Sequence, residues 1–398
     1  MTTPAVADRL IGEHVTCLPI ESLPLAQCGG GVLRENVYGE RDAPPFDRVA
    51  MDGIAVRATD ANRLRELRIQ ARQAAGDAPL NLAAGAHCIE IMTGAMLPEG
   101  CDAVVPIERL QIRDGMARIE DGLDIAAGMN IHRRGSDSRQ GALLLAAGMR
   151  LGAPEIAVAA SAGMARIRVS SQPNIVVIST GNELIDPGEA IAAHQVRRSN
   201  AYGVLSALRQ RGFQRVADDH VRDNADEMLA RLRFHLDTHD VIILSGGVSM
   251  GALDLVPGTL RDLGVHEVFH KVEQRPGRPL WFGIGPAGQA VFGLPGNPVS
   301  TLVCLARYVT PALYAAMGGE LRAPQRLALS EPVEIRHSLT SFLPVKIVGD
   351  DWGRDWAEPR PTNGSGDFTA LTGTDGFVEL PPGPNRYAKG FVTRCWRW

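Results

Sequence analysis

Apolar positions recur at helical spacing once near the start of the chain. Val6, Leu10, Ile11 and Val15 share one face of a helix opening at Pro4, whose missing N–H suits a first turn. A loop follows and ends in APPFDRVAMDG. Between about 58 and 150 the pattern changes to short apolar runs, LRIQA, HCIEIM, DAVVPIERLQI and LLLAAG, separated by Gly, Pro, Asn and Asp, which predicts a small β-rich domain. Residues 154–163 read as a lone helix. From 171 to about 318, strands and helices alternate. NIVVIS, DVIIL and QAVFGL are unbroken apolar runs of the length expected for strands buried on both faces. Met228, Leu229, Leu232 and Leu236 make one helical face between them, and Val299, Leu302, Val303 and Ala306 make another. This alternation predicts a parallel sheet with covering helices. After LRAPQ the chain returns to short strands and turns, ending in WRW.

Length and composition then narrow the class. A chain of 398 residues implies two to four domains at about 150 residues each. Hydrophobic residues make up 45% and charged residues 22%, an ordinary globular balance that excludes wholesale disorder. The net charge of −4 argues against an extended nucleic-acid footprint, and aromatics at 5% leave few surfaces for base stacking. The six cysteines include no C-x-x-C pair, so zinc-ribbon and thioredoxin-type chemistry fails on spacing, and scattered thiols fit a reducing cytosol. The first fifteen residues carry acids and no apolar core, unlike a signal peptide. No uncharged apolar run reaches about 18 residues, so the expectation is a cytoplasmic protein with no membrane span.

The α/β region holds the candidate chemistry. Three of its strand ends carry small residues and glycine: Ser179-Thr180-Gly181-Asn182-Glu183, Ser245-Gly246-Gly247-Val248-Ser249-Met250-Gly251, and Leu294-Pro295-Gly296-Asn297-Pro298. Ligands of open α/β sheets sit at the carboxyl ends of strands. Glycine there lets backbone N–H groups approach an anion, and hydroxyls add donors. Taken singly each is also a tight turn; three in one region point to a phosphate-binding pocket. Asn297 is placed as an N-cap ahead of Pro298. None matches a Walker loop or a G-x-G-x-x-G fingerprint, which weakens NTPase and dehydrogenase readings. Glu183, Asp223 and Asp254 accompany the loops and are candidate magnesium ligands, since hard cations take oxygen donors and arrive with phosphates. Asp223 and Asp254 also suit helix capping; Glu183 has no such local role. Lys271, Arg275 and Arg278 precede the strand LWFG, either as a solvated edge or as an oxyanion clamp. In the β-rich half, Asp52, Thr93, His132, Arg133, Arg134 and Asp137 lie in turn-forming segments, with His132 a bystander rather than a metal ligand.

Taken together and in this order, PPFDRVAMDGIAV, IMTGAMLPEGCDAVVPIE, GMNIHRRGSD, ISTGNEL, ILSGGVSMGALD, RPGRP and FGLPGNPVS resemble the molybdopterin molybdenumtransferase family, which includes bacterial MoeA and the gephyrin E domain. The resemblance runs from about 44 to 300, with Gly364-Ser365-Gly366 matching more loosely. It implies a multidomain α/β plus β protein. A discontinuous linking helical domain would comprise 1–46 and 140–170, and a small β-rich domain 47–139. A central doubly wound α/β molybdopterin-binding domain would cover 171–319, and a C-terminal β-barrel 320–398. It further implies a homodimer whose cleft is shared between protomers, and an enzyme that inserts molybdate into adenylylated molybdopterin with Mg2+-dependent release of AMP. Implied protein partners are a molybdopterin adenylyltransferase and molybdoenzyme apoproteins.

Carried onto this sequence, the catalytic set is Asp52, Thr93, Asp137, Glu183, Asp254 and Lys271. The substrate-binding set is Arg133, Arg134, Thr180, Gly181, Ser245, Gly246, Gly247, Ser249, Arg275, Arg278, Pro295, Gly296, Asn297, Pro298 and Ser365. Glu183, Asp223 and Asp254 would hold the magnesium. A non-catalytic cofactor carrier or docking protein on the same scaffold is the alternative, disfavoured because Glu183, Asp254 and Asp137 survive. The chain departs from the family pattern at Arg48, Val49 and Ile54, which replace Asn, Ser and Tyr. Asn182 stands where Asp is common, and Arg275 and Arg278 replace lysines. Arg198 occupies a position usually held by Asp, a charge reversal expected to alter nucleotide binding.

Overall fold

The computed structural model describes residues 2–247, 255–321 and 323–398. The chain divides into two compact units: one of residues 1–35, 147–152 and 166–398, the other of 36–146 and 153–165.

The larger unit opens with helix α1 (Pro4–His14), capped by the Thr3 hydroxyl and burying Ala7 and Ile11. Its α/β part runs β1 (Ile175–Thr180), α2 (Ser199–Gln210), β2 (Val216–Val221), α3 (Ala225–Thr238), β3 (Val241–Ser245), α4 (Val256–Asp262), β4 (His266–His270), β5 (Trp281–Ile284), β6 (Ala290–Leu294), α5 (Pro298–Cys304) and α6 (Thr310–Ala316). The sheet order is β2-β1-β3-β6-β5-β4. β2, β1, β3 and β6 are parallel, while β5 and β4 complete the edge antiparallel.

Strand periodicity explains why the central runs are apolar throughout. Ile175, Val177, Val241 and Ile243 face one core with α2, α5 and α6, whereas Val176, Ile178, Ile242 and Leu244 face the other with α3 and α4. Alternate side chains point to opposite sides of a sheet, so a strand covered on both faces has no polar position. Each such Val, Ile or Leu contributes about 1.5–3 kcal/mol by its burial. From β1 the chain crosses to β2 on one side and then to β3 on the other, which leaves a crevice at their carboxyl ends. Pro298–Ala316 is apolar and long enough to span a membrane, but 78% of its window is buried within the fold, where it serves as a core helix.

The last part of this unit is a closed barrel of β7 (Gln325–Leu329), β8 (Thr340–Gly349), β9 (Asp355–Pro359), β10 (Gly376–Leu380) and β11 (Val392–Arg397). β8 pairs with β9 and β10, β10 with β11, β11 with β7, and β7 with β9, so no strand among them is left with a bare edge. Leu329, Val345, Ala357, Val378 and Leu380 fill its interior. The multidomain α/β-plus-barrel class expected from the sequence is the one observed.

The second unit is built on a six-stranded sheet in the spatial order Ala103–Pro106, Gly53–Val56, His87–Ile91, Glu66–Gln73, Met116–Ile119, Leu110–Arg113. Ile54, Val56, Leu67, Val105 and Ile119 form its core, and its helices are Ala58–Leu64 and Ala153–Ser161, the second being the one expected over 154–163.

Candidate functional site

A cavity of about 740 Å³ opens at the carboxyl ends of β1, β3 and β6. Of the expected substrate-binding residues it is lined by Thr180, Ser245, Gly246, Gly247, Pro295, Gly296, Asn297 and Pro298, together with Glu183 of the expected metal ligands. The chain fold brings them together because the three strands are parallel neighbours and each ends at the same level.

The floor of the cavity is polar and incompletely bonded. Ser179 Oγ, Thr180 Oγ1 and Asn200 Oδ1 are buried oxygens with no hydrogen-bond partner among the described residues. A buried oxygen left in that state costs about 1–3 kcal/mol, so three around one cavity mark a place built for a hydrogen-bonding ligand. Asn200 is oriented by its other end: Nδ2 donates to the Gly296 carbonyl at 2.7 Å and to Ser245 Oγ at 3.0 Å. Gly247 has φ +64°, and a Cβ there would stand 2.7 Å from Thr180 Oγ1 and 2.8 Å from Val256 Cγ2. Only glycine keeps this floor open.

Asn297 precedes α5 as expected, with Pro298 in the first turn, but its side chain does not cap the helix. Instead Nδ2 donates to Ser365 Oγ at 2.7 Å, and the Val299 N–H donates to the Ser365 carbonyl at 3.1 Å. These bonds hold the 363–368 segment at the cavity, where Gly366 and Phe368 form part of its lining. Ser365 is thereby placed as a support for the glycine-containing turn.

Glu183 lies on the cavity wall, and its carboxylate has no hydrogen-bond or ion-pair partner among the described residues. Asp223 is not one of the lining residues. The capping role that sequence offered it belongs to Asn224, whose side chain accepts the Glu227 N–H. Asp223 and Asn182 exchange bonds instead: Asn182 N–H donates to Asp223 Oδ2 at 3.2 Å, and Asp223 N–H donates to Asn182 Oδ1 at 3.1 Å. The pair ties the loop after β1 to the loop after β2. Asp254 and Ser249 lie outside the described residues. Among the described residues no three His, Cys, Asp or Glu side chains converge as a ready-made metal cluster.

Arg198 lines the cavity yet is only 6% exposed. Its guanidinium donates to Asp186 at 2.6 Å and to Asp218 at 2.9 Å. The charge reversal noted in the sequence is therefore matched by two carboxylates within the fold. Lys271, Arg275 and Arg278 lie on the connection from β4 to β5 and are not lining residues, although Pro279 beside them is. Sequence reasoning quoted Ser179 in the first strand-end motif without giving it a binding role, and it missed Asn200 and Phe368. Asn200 stood in a segment singled out only for Arg198, and Phe368 comes from a barrel loop remote in sequence.

The second unit makes its own polar group. Asp52 precedes the strand Gly53–Val56 and Thr93 follows His87–Ile91, and these two strands are antiparallel neighbours. Asp52 Oδ1 accepts the Thr93 N–H at 2.6 Å and the Thr93 hydroxyl at 2.7 Å, and the two bonds hold its carboxyl below the usual range. The His132 ring is held at both nitrogens. Its Nδ1 meets Arg48 Nη2 at 3.1 Å and its Nε2 meets Asp137 Oδ1 at 2.8 Å. Arginine can only donate, so Nδ1 accepts and the ring proton on Nε2 goes to Asp137. Arg133 pairs with Asp47 at 2.6 Å, and Arg134 with Asp42 at 2.8 Å.

Family comparisons agree with this arrangement. Models described as the MoeA N-terminal region (domain I and II), a probable molybdopterin binding domain, and the MoeA C-terminal region (domain IV) match residues 3–163, 176–315 and 326–392. A molybdopterin molybdenumtransferase of Synechocystis sp. is 35% identical over 400 residues, covering 100% of both chains. One from Synechococcus elongatus is 33% identical over 97% of each. A crystal structure of a molybdopterin biosynthesis MoeA protein from Pyrococcus horikoshii, 29% identical, superposes with a TM-score of 0.80 over 100% of this chain and 99% of that one. With full-length identity of this order and three family models matched along its length, the chain belongs to the molybdopterin molybdenumtransferase family.

Proposed function

We propose that this chain is a molybdenum-inserting transferase of molybdenum cofactor biosynthesis, acting on molybdate and adenylylated molybdopterin. The cavity floor supports the reading best: Ser179, Thr180 and Asn200 offer oxygens without a partner among the described residues, beside Gly246 and Gly247, a setting for a phosphate-bearing, hydrogen-bonding ligand. In this reading the backbone around Gly246, Gly247 and Gly296 holds the phosphates. Thr180, Ser245 and Asn200 orient the polar edge of the ligand. Lys271, Arg275 and Arg278 supply fixed positive charge for molybdate. Asp52, Thr93, Arg133, Arg134 and Asp137 join the proposed machinery on the strength of the family resemblance alone.

Two changes make up the reaction. Molybdenum becomes bonded to the two dithiolene sulfurs as one oxide of molybdate leaves as water with the two thiol protons, at unchanged oxidation state, and a second water adds to phosphorus at the phosphoanhydride so that AMP leaves. Magnesium, when bound, neutralises phosphate charge and orients the attacking water. The residues fit that ion: Glu183 presents on the cavity wall a carboxylate without a partner among the described residues, and Mg2+ commonly takes one or two carboxylates with water and phosphate completing its shell. Glu183, with Asp223 and Asp254, would hold it. We place the enzyme in the cytoplasm as a homodimer that receives its substrate from a molybdopterin adenylyltransferase and delivers cofactor to molybdoenzyme apoproteins.

The test is reconstitution with purified adenylylated molybdopterin, molybdate and magnesium. AMP release and the ability to activate a molybdoenzyme apoprotein should appear together, and both should require magnesium. Binding of the substrate with neither product formed would leave a carrier and overturn the enzymatic reading.

A further inference from the structure

The helix Pro298–Ala316 is interrupted by a π-helical turn, Leu305–Val309, and two consecutive residues of that turn, Arg307 and Tyr308, are buried at 2% and 1% exposure. π turns are rare single-turn interruptions of α-helices and recur near functional sites. Arg307 faces outward from the α/β core. It grips both oxygens of Asp8 in α1 at 2.6 and 2.7 Å and reaches Glu379 in β10 at 3.0 Å. Tyr308 faces the connection that carries the cationic residues, and its hydroxyl donates to Gln274 Oε1.

Gln274 is fully buried, and its orientation follows from its neighbours. The carbonyls of Pro276 and Gly277, 3.3 and 3.2 Å away, can only accept, so the amide must turn Nε2 toward them. Oε1 is then left facing Tyr308, which must donate. Cys304 closes the network with Sγ 3.6 Å from Gln274 Nε2 and 3.7 Å from the Gly277 carbonyl. There is no room to spare: a Cβ at Gly277, where φ is +92°, would stand 2.6 Å from both Cys304 Sγ and Gln274 Nε2. The two carbonyls held by this buried amide lie between Arg275 and Arg278.

We propose that Tyr308 and Gln274 are positioning residues for the turn Arg275–Arg278, setting its affinity for a tetrahedral oxyanion. The inference rests on the reading of that turn as the molybdate-binding clamp. Neither residue touches the anion; they act through the backbone on which the two guanidinium groups ride. A guanidinium grips an oxyanion through paired, directed N–H bonds, so a small displacement of the turn weakens the grip.

The test uses the full-length protein, with molybdate as the titrant in calorimetry and AMP release as the kinetic readout. Tyr308→Phe removes one oxygen. Gln274→Glu keeps the shape but leaves an acceptor against two carbonyls. In both, Kd and KM for molybdate should rise about tenfold or more while kcat stays within about twofold, the signature of lost binding rather than lost chemistry. Hydrogen exchange should quicken at Leu280 and Val272, whose N–H groups bond the Gly277 and Arg278 carbonyls at 3.1 and 2.9 Å. A fall in melting temperature with wild-type Kd, KM and exchange rates would overturn the proposal and reduce the network to packing. If Gln274→Glu does not fold, Tyr308→Phe decides alone. Unchanged molybdate affinity in Arg275→Ala and Arg278→Ala would instead refute the clamp reading itself. The exchange rates would separate that failure from a failure of the positioning network.

Discussion

Arg198 sets both terminal guanidinium nitrogens 2.9 Å from one carboxylate oxygen of Asp218, while its Nε reaches Asp186 at 2.6 Å. The arginine joins the loop after β1 to strand β2. Its side chain is 7% exposed and those of both aspartates 39%, so the cation is the member that depends on the pairing. Asp218→Asn should therefore destabilise the fold by about 1–2 kcal/mol, less than for a fully buried pair because water still reaches Asp186 and Asp218. Arg198→Met alone should cost no more than this, since the freed carboxylates can hydrate. A double-mutant cycle by denaturant unfolding should return a coupling of about 1 kcal/mol. Additive effects would show that the pairing contributes nothing.

Asp219 gives the fold an acid-sensitive contact. Burial by itself would raise its pKa, but bonds from His235 at 2.7 Å, from Arg231 and from the His220 N–H at 2.9 Å outweigh that and hold the carboxyl well below its ordinary value. A depressed pKa contributes stability that is fully present above the unfolded value of about 4 and is lost as pH falls through the folded one. Unfolding free energy measured against pH should thus fall more steeply below pH ~4 in the wild type than in Asp219→Asn. At neutral pH the variant should be less stable by about 2–3 kcal/mol.

The Asp52–Thr93 contact makes a distinct titration prediction. The Thr93 N–H is the larger cause of the lowered Asp52 pKa and the hydroxyl the second. Thr93→Val removes only the hydroxyl, so the carboxyl midpoint followed by NMR should move up partway, and Thr93→Ser should restore it. The sign is that of any depressed carboxylate: what the contact contributes is present above the unfolded pKa and fades as pH drops through the folded one. An unchanged midpoint in Thr93→Val would show that the hydroxyl bond is absent in solution.

Gly247→Ala tests the cavity floor, with Gly188→Ala as its control. Both glycines have positive φ, +64° and +95°, but a Cβ at Gly188 meets nothing within 4 Å whereas one at Gly247 runs into Thr180 and Val256. Backbone strain alone should cost each variant about 1 kcal/mol in unfolding free energy. Only Gly247→Ala should also weaken binding of adenylylated molybdopterin, by tenfold or more on the order expected for a misplaced ligand contact. Equal binding by the two variants would remove Gly247 from the pocket.

Local pattern was enough to locate much of this molecule. Strands covered on both faces must be apolar at every position, so β1, β3 and β6 are visible as unbroken runs, and the small residues at their ends mark where a ligand can approach. The helical stripe of α1 and the first-turn positions of Pro4 and Pro298 follow from backbone chemistry within a few residues. What local pattern could not supply was pairing between distant segments. Asn297 reads as a cap until the fold brings Ser365 to it from 68 residues away. Asp223 reads as a cap until Asn182 competes for it. Gln274 carries no sequence signal at all, because its role exists only where Tyr308 and Cys304 enclose it. Short-range sterics and burial settle which segments become strands and helices and which strand ends carry the small residues an anion would need, so local pattern reveals both. Tertiary structure decided which polar side chains are left unpartnered for a ligand and which are consumed in holding the site, because a hydrogen bond is assigned by distance in space rather than along the chain.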